Sequence, residues 1–313
     1  MLEATDKIWM NGKFVPWDEA KVHVLVHSLH YATAVFEGIR CYKTDAGPAV
    51  FRLQEHVGRL FDSAHICQME MLFTREAVSE AILETIRVNK IEACYIRPLA
   101  YIGYGDMGVF PKDNPVELAI GVWPWGVYLG EEALKNGIRV KISSFTRHHV
   151  NITMVRAKTS ANYANSLLAK REALKDGYDE AVLLDAEGYV AEGSGENIFT
   201  VRNGLIKTPP LTSILEGITR DTVIQIARER GLRLVEERFT RDDLYIADEA
   251  FFTGTAAEIT PIREVDNRLI GKGVPGPVTK ELQSAFFDIV HGRDSRHEDW
   301  LTYVSAKQPV MKK

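Results

Sequence analysis

Tyr189-Val190-Ala191-Glu192-Gly193-Ser194-Gly195-Glu196-Asn197-Ile198-Phe199 sets a carboxylate, Glu192, at the mouth of a glycine-rich turn directly after a short apolar run. Strand-like runs recur around it at 180–184, 189–191, 197–201 and 205–207, and Ala186-Glu187-Gly188 and Asn203-Gly204 join them as hairpins. Further strands are expected at 232–239 and 249–253. Helices are expected over 165–175, closed by Gly177, and from Gly217 to just before Gly231. This half therefore reads as a mostly antiparallel, barrel-like domain with helices packed on it.

Upstream, Asn11-Gly12 between Ile8-Trp9-Met10 and Lys13-Phe14-Val15 is a two-residue hairpin signal. Val57, Leu60, Phe61 and Ala64 follow a helical period over 56–66. A second helix over 75–89 has Thr74 available as N-cap. Strand-like runs at 93–99 and 116–122 follow, so the first half is expected to be an α+β domain. Pro124, Gly126 and Gly130 then interrupt regular structure while Trp123, Trp125 and Tyr128 supply large aromatics. The stretch reads as a crossing between domains, and the expected division is 1–124, an interdomain loop at 125–132, and 133–313.

The 313 residues are 45 % hydrophobic and 26 % charged, as expected of a soluble globular protein, and the net charge of -5 argues against a nucleic-acid binder. Cys41, Cys67 and Cys94 are widely spaced and contain no Cys-x-x-Cys, which indicates neither a disulfide framework nor a zinc site and fits a reducing cytoplasm. The N-terminus lacks the pattern of a secretory signal, no apolar run is long enough to span a bilayer, and the polar residues 305–313 read as a frayed tail. His27 and His30 stand at i, i+3 and His148-His149 are adjacent, but no third ligand is evident and no metal is expected.

Two turns have the composition of an anion seat. Gly217-Ile218-Thr219 opens a helix, where oriented N–H groups and the positive end of the dipole meet, and Thr253-Gly254-Thr255-Ala256-Ala257 can form a nest of N–H donors. Alone, the first reads as an ordinary helix cap, and the second is no more specific. Lys158 lies 34 positions before Glu192, in a stretch rich in small residues, with Tyr163 five positions on. A lysine able to form an imine and a carboxylate able to hold a pyridinium nitrogen protonated are what pyridoxal phosphate chemistry requires. With no nucleotide-binding glycine motif, a small phosphorylated cofactor is the better fit.

Across about residues 7–300 the chain resembles the branched-chain amino acid aminotransferases, members of the fold-type IV group of pyridoxal phosphate enzymes. The matching segments, in order, are His30 through Arg40, Tyr95-Ile96-Arg97-Pro98, Ala157 through Tyr163, Glu192 through Asn197, Gly217 through Asp221, and Gly254 through Pro261. The resemblance implies an α+β, two-domain enzyme with a small domain and a larger pseudo-barrel cofactor domain. It implies Lys158 as the covalent link that also moves the substrate α-proton, Glu192 as partner of the pyridine nitrogen, and Tyr163 on the ring hydroxyl. Arg59, Ile218, Thr219 and Thr255 are implied as phosphate ligands.

For substrate it implies a pocket of Phe36, Gly38 and Trp125, with Tyr31 and Val109 reaching in from a second subunit. Arg97 would receive the γ-carboxylate of glutamate. Thr255 and Ala256 would receive the α-carboxylate, with Tyr95 assisting. The implied reaction is transamination of leucine, isoleucine and valine with 2-oxoglutarate, in branched-chain amino acid biosynthesis, by a cytoplasmic homodimer or larger assembly of dimers. Alternatives of the same fold are a D-amino acid or amine transaminase and an aminodeoxychorismate lyase. The Arg-x-His pair typical of D-specific members is absent, because Pro98-Leu99 follows Arg97. Arg40 beside Glu37 reads as an ion pair. Ala32 and Ala161 stand where the family commonly has glycine, and the loop 147–154 lacks the family's usual prolines.

Overall fold

The computed structural model describes residues 2–126 and 129–305. Val127 and Tyr128 of the expected interdomain loop, and most of the expected tail, lie outside the described residues. The chain divides into two compact units. The first contains the chain up to Trp125, Ala157–Ala161 and the chain from Asp288; the second contains Gly126–Arg156 and Asn162–Phe287. An uninterrupted 133–313 domain was the expectation, and pairing explains the difference. Val35 bridges Thr159, and Leu301–Tyr303 pairs antiparallel with Gly47–Phe51, so both segments belong to the first unit's sheet.

That sheet is antiparallel, in the order Leu301–Tyr303, Gly47–Phe51, Ile39–Thr44, Cys94–Ile102, Val116–Trp123, Lys7–Met10, Lys13–Pro16, with Ala34–Phe36 also on Cys94–Ile102. Asn11 and Gly12 both have positive φ, 48° and 89°, which is what the tight turn between the last two strands demands. The helices Leu53–Ile66 and Arg75–Asn89 pack into one core with it. Val57, Leu60, Ala64, Val78, Ile82 and Ile86 recur at three- and four-residue steps and meet Ile96, Leu118, Ile120 and Val122. The Thr74 side chain caps the second helix by accepting from Ala77 N–H. Truncating a fully buried member such as Leu60 to alanine costs about 2–5 kcal/mol.

In the second unit six strands close on themselves. The order Val190–Gly193, Glu180–Leu184, Ile138–Thr146, Glu258–Val265, Glu249–Gly254, Asn197–Arg202 returns to its start through Glu192 opposite Asn197. Asn197–Arg202 and Glu249–Gly254 are buried on both faces: Ile198 pairs with Phe252, and Phe199 stacks on Phe251 at 5.0 Å. The apolar runs are therefore continuous, as in sheets covered on both sides. Three pairings are parallel: Ile138–Thr146 with Glu180–Leu184, Ile138–Thr146 with Glu258–Val265, and Leu205–Thr208 with Arg233–Glu236. Parallel neighbours need crossovers, and the helices Asn162–Lys175 and Ile218–Glu229 supply two of them. The strand expected over 232–239 is accordingly the shorter Arg233–Glu236.

Candidate active site

In the first unit, the residues around Lys158 are held by backbone pairing. Phe36 N–H donates to Lys158 O at 3.1 Å and Ser160 N–H to Ala34 O at 2.9 Å. The Lys158 N–H is taken by the fully buried Ser63 hydroxyl at 3.0 Å. Ser63 lies on the helix Leu53–Ile66 with His56 and Arg59, at spacings that share one helical face. The Lys158 ammonium lies 5.1 Å from the centre of the Phe36 ring.

Glu37, fully buried, ties that helix to the strand Ala34–Phe36 from the other side. Arg59 donates from Nε to one carboxylate oxygen at 2.7 Å and from Nη2 to the other at 2.9 Å, and His56 Nδ1 lies 2.8 Å from the second. Burial pushes the Glu37 carboxyl up, but the Arg59 charge and these hydrogen bonds outweigh it and hold it well below the usual carboxylate range. Burial pushes His56 down, against its hydrogen bond to Glu37. The ion pair expected between Arg40 and Glu37 is thus replaced by this pair; Arg40 donates to Trp125 O at 3.4 Å. The Arg59 fork, with the His56 ring from the same helix, satisfies the buried carboxylate better than a single neighbour three residues along the chain can.

Around Arg97 the walls are aromatic. Its guanidinium sits 4.6 Å from the Phe36 ring, 5.4 Å from Tyr95 and 6.0 Å from Trp123, and Nη2 donates to the Tyr95 hydroxyl at 3.5 Å. Tyr95 is in turn edge-on to Trp125 at 4.5 Å. Arg97 Nε is buried without a hydrogen-bond partner among the described residues. Among the described residues Arg97 has no ion-pair partner, and the neighbours of its guanidinium are aromatic. Gly38 is what lets Tyr95 stand there, since a Cβ at 38 would lie 1.9 Å from the Tyr95 hydroxyl.

Tyr31 and Val109 behave differently. They are 42 % and 85 % exposed, whereas Phe36, Gly38 and Tyr95 are buried. Tyr31 ends the short helix His27–Tyr31, and Ala32 caps it in the left-handed region at φ 54°. That backbone conformation is why glycine suits position 32.

In the second unit, Glu192 is buried opposite Asn197. Its Oε2 accepts from Asn197 Nδ2 at 3.2 Å and from Leu215 N–H at 3.1 Å, and Oε1 lies 2.7 Å from Arg147 Nε. The carboxylate's orientation is fixed from three sides. Gly217 caps the helix Ile218–Glu229 with no side-chain cap, and a Cβ there would lie 1.9 Å from Asn197 Oδ1. Ile218 and Thr219 form the first turn, both buried. Thr255 and Ala256 occupy the turn between Glu249–Gly254 and Glu258–Val265, and Thr253 just before it has a buried hydroxyl without a partner. Tyr163 stands in the first turn of Asn162–Lys175, a helix that begins three residues earlier than expected.

These donor sets fit pyridoxal phosphate. The helix start at Gly217 offers first-turn N–H groups with no side chain capping them, and Thr253 brings a buried hydroxyl beside the second small-residue turn. Sequence reasoning missed Glu37, His56, Ser63, Arg147 and Asn197. Only the first three left a signal: an acid inside an apolar run, and two polar residues that share one face of an amphipathic helix with Arg59.

The family model for class IV amino-transferases matches residues 34–265. The chain belongs to the class IV amino-transferases. This class IV member is 54 % identical to a branched-chain-amino-acid aminotransferase of Pseudomonas aeruginosa, over 97 % of this chain and 99 % of that one. It is similar in structure to the branched-chain amino acid aminotransferase of Escherichia coli, with TM-score 0.95, 47 % identity, and 96 % of this chain and 100 % of that one covered. It is also similar to that of Thermobaculum terrenum in its PLP-form, with TM-score 0.90, 41 % identity, and coverage of 96 % and 99 %.

Proposed function

We propose that the chain is a pyridoxal phosphate-dependent transaminase that exchanges the amino group between L-leucine, L-isoleucine or L-valine and 2-oxoglutarate, giving the branched 2-oxo acids and L-glutamate. The observation that carries this is Arg97, a guanidinium walled by Phe36, Tyr95 and Trp123 with a buried Nε lacking a partner among the described residues. Apolar walls suit a branched aliphatic side chain, and the guanidinium suits the γ-carboxylate of glutamate. The full-length relatives named as branched-chain aminotransferases support the same substrates.

When bound, the cofactor supplies an electron sink for the substrate α-carbon. Lys158 provides the amine that holds it and that removes and returns the α-proton. Glu192, oriented by Asn197, Leu215 N–H and Arg147, would pair with the ring nitrogen, and Tyr163 would donate to the ring hydroxyl. Arg59, Ile218, Thr219 and Thr255 bind the phosphate. Thr255 and Ala256 N–H groups take the α-carboxylate with Tyr95, and Phe36, Gly38 and Trp125 shape the side-chain space. Exposed in a single chain, Tyr31 and Val109 serve a second subunit of a homodimer or of a larger assembly of dimers. Three free thiols suit the cytoplasm, and no described helix is long and apolar enough to cross a membrane.

Mixing the holoenzyme separately with L-leucine, D-alanine and 1-phenylethylamine and following the visible cofactor band tests the assignment. L-leucine is expected to bleach the band fastest. Faster bleaching by D-alanine or the amine overturns the substrate class, and pyruvate release from aminodeoxychorismate overturns the reaction type. Borohydride reduction and peptide mapping should place the adduct on Lys158; an adduct elsewhere refutes its role.

A further inference from the structure

The histidine pair at 27 and 30 has no part in the chemistry above, yet His27 is fully buried on a five-residue helix whose Leu29 and Tyr31 are 64 % and 42 % exposed. Both ring nitrogens are engaged: Nδ1 lies 2.9 Å from Thr33 Oγ1, and Nε2 lies 2.9 Å from Gly108 O, 81 residues away in sequence. A carbonyl oxygen only accepts, so Nε2 carries the proton.

The ring also stacks on Tyr31, with centroids 4.5 Å apart and planes at 26°. The Tyr31 hydroxyl donates to Met107 O at 2.8 Å. Two consecutive carbonyls, 107 and 108, are therefore held by two side chains of one short helix. Lower in the same loop, the Asn114 side chain donates to Gly103 O at 3.0 Å and to Asp106 O at 3.1 Å, and accepts from Asp106 N–H at 2.7 Å. Asn114 fixes the base of the loop, and His27 with Tyr31 fixes its tip. Val109 follows immediately, 85 % exposed, an apolar side chain that no described residue buries.

We infer that His27 is a positioning residue for substrate recognition: its Nε2–H bond to Gly108 holds the loop 104–110 so that Val109 and Tyr31 present one fixed apolar wall to the substrate. The inference rests on the assignment of Tyr31 and Val109 as substrate-contacting residues. His27 touches no substrate itself. Its effect reaches the reaction through the loop, so it belongs to binding of the side chain and leaves the proton transfer alone.

Two substitutions separate its two hydrogen bonds. An asparagine amide reaches about as far as Nδ1, keeping Thr33 and losing Gly108; a glutamine amide reaches about as far as Nε2 and can donate to Gly108. In the holoenzyme, His27→Asn is expected to raise KM for L-leucine about fivefold to tenfold, the worth of one hydrogen bond, with kcat within about twofold. Amide exchange should accelerate in 104–110 and stay unchanged in the sheet strands. His27→Gln should return KM to within about twofold of the parent.

An unchanged KM in His27→Asn, an equal KM rise in both variants, or faster exchange throughout the sheet overturns the inference. Val109→Gly is the control for the underlying assignment. If it raises KM while His27→Asn does not, the loop strut alone is refuted. If Val109→Gly leaves KM unchanged, the wall assignment fails and the inference falls with it.

Discussion

The Ser63 hydroxyl accepts the backbone N–H of Lys158 at 3.0 Å, and Ser63 lies one helical turn beyond Arg59 on Leu53–Ile66. The helix that carries the expected phosphate arginine thus also sets the height of the expected catalytic lysine. Ser63→Ala leaves a buried N–H without its acceptor, which costs about 1–3 kcal/mol. Freed from that anchor, Lys158 is expected to lose alignment and kcat to fall roughly tenfold, while the leucine KM stays near the parent. Denaturant titration and steady-state kinetics on the same preparation check both parts; an unchanged kcat would mean that the Phe36 pairing alone positions the lysine.

Glu37 and Arg59 form the second anchor of that helix. Glu37→Ala leaves the Arg59 guanidinium and the His56 ring facing a cavity, and breaking a buried pair by removing one partner costs about 3–5 kcal/mol. Glu37→Gln keeps a hydrogen-bond acceptor and is expected to lose less. The folded carboxyl titrates below the unfolded one, so its stabilisation is present above the ordinary value of 4.5 and is lost as pH falls below it. The parent should therefore lose stability relative to Glu37→Gln on acidification, as thermal unfolding across that range would reveal; parallel curves would exclude the ion pair.

Local pattern carried the parts of this molecule that local physics decides. Asn11-Gly12 specified its turn because both positions need positive φ, and 75–89 came out to the residue because Thr74 caps it. The parallel pairing of Arg233–Glu236 left no such mark, since its partner is chosen by a crossover helix. The same split runs through the expected site residues. Glu192, Lys158 and Gly217 lie in motifs, whereas Arg147, just past Ile138–Thr146, reaches Glu192 across 45 positions because Ile138–Thr146 and Val190–Gly193 both pair with Glu180–Leu184, a relation no window along the chain contains.

Gly38 and Tyr95 are coupled by space. A methyl group at 38 would sit 1.9 Å from the Tyr95 hydroxyl, and Tyr95 is hemmed by Trp123 at 5.2 Å and Trp125 at 4.5 Å. Gly38→Ala forces that ring to move and is expected to cost about 1–3 kcal/mol, as overpacking does. With Tyr95 displaced, Arg97 loses one wall and one hydrogen bond, so KM for 2-oxoglutarate should rise about tenfold. Kinetics with 2-oxoglutarate varied at saturating leucine give the number, and an unaltered KM would detach Tyr95 from substrate binding.

Glu196 gives stability a pH dependence of the opposite sign. Burial pushes its carboxyl up to about 8, helped by the charges of Glu180 and Glu192, while Lys170 and the Gly195 N–H oppose the rise. Lys170 is itself committed to Glu180 at 2.5 Å, which limits its help to Glu196. The unfolded chain releases this proton near the ordinary 4.5, so the native contribution is full below that value and is lost as pH rises toward 8. Glu196→Gln removes the titration and keeps the shape. It should match the parent near pH 5 and exceed it by a few kcal/mol near pH 8, because only the parent must carry a buried acid that the unfolded state ionises. Thermal unfolding of both proteins across that range measures the gap, and a gap that narrows with rising pH would reverse the sign and refute a protonated Glu196 beside the Glu192 hairpin.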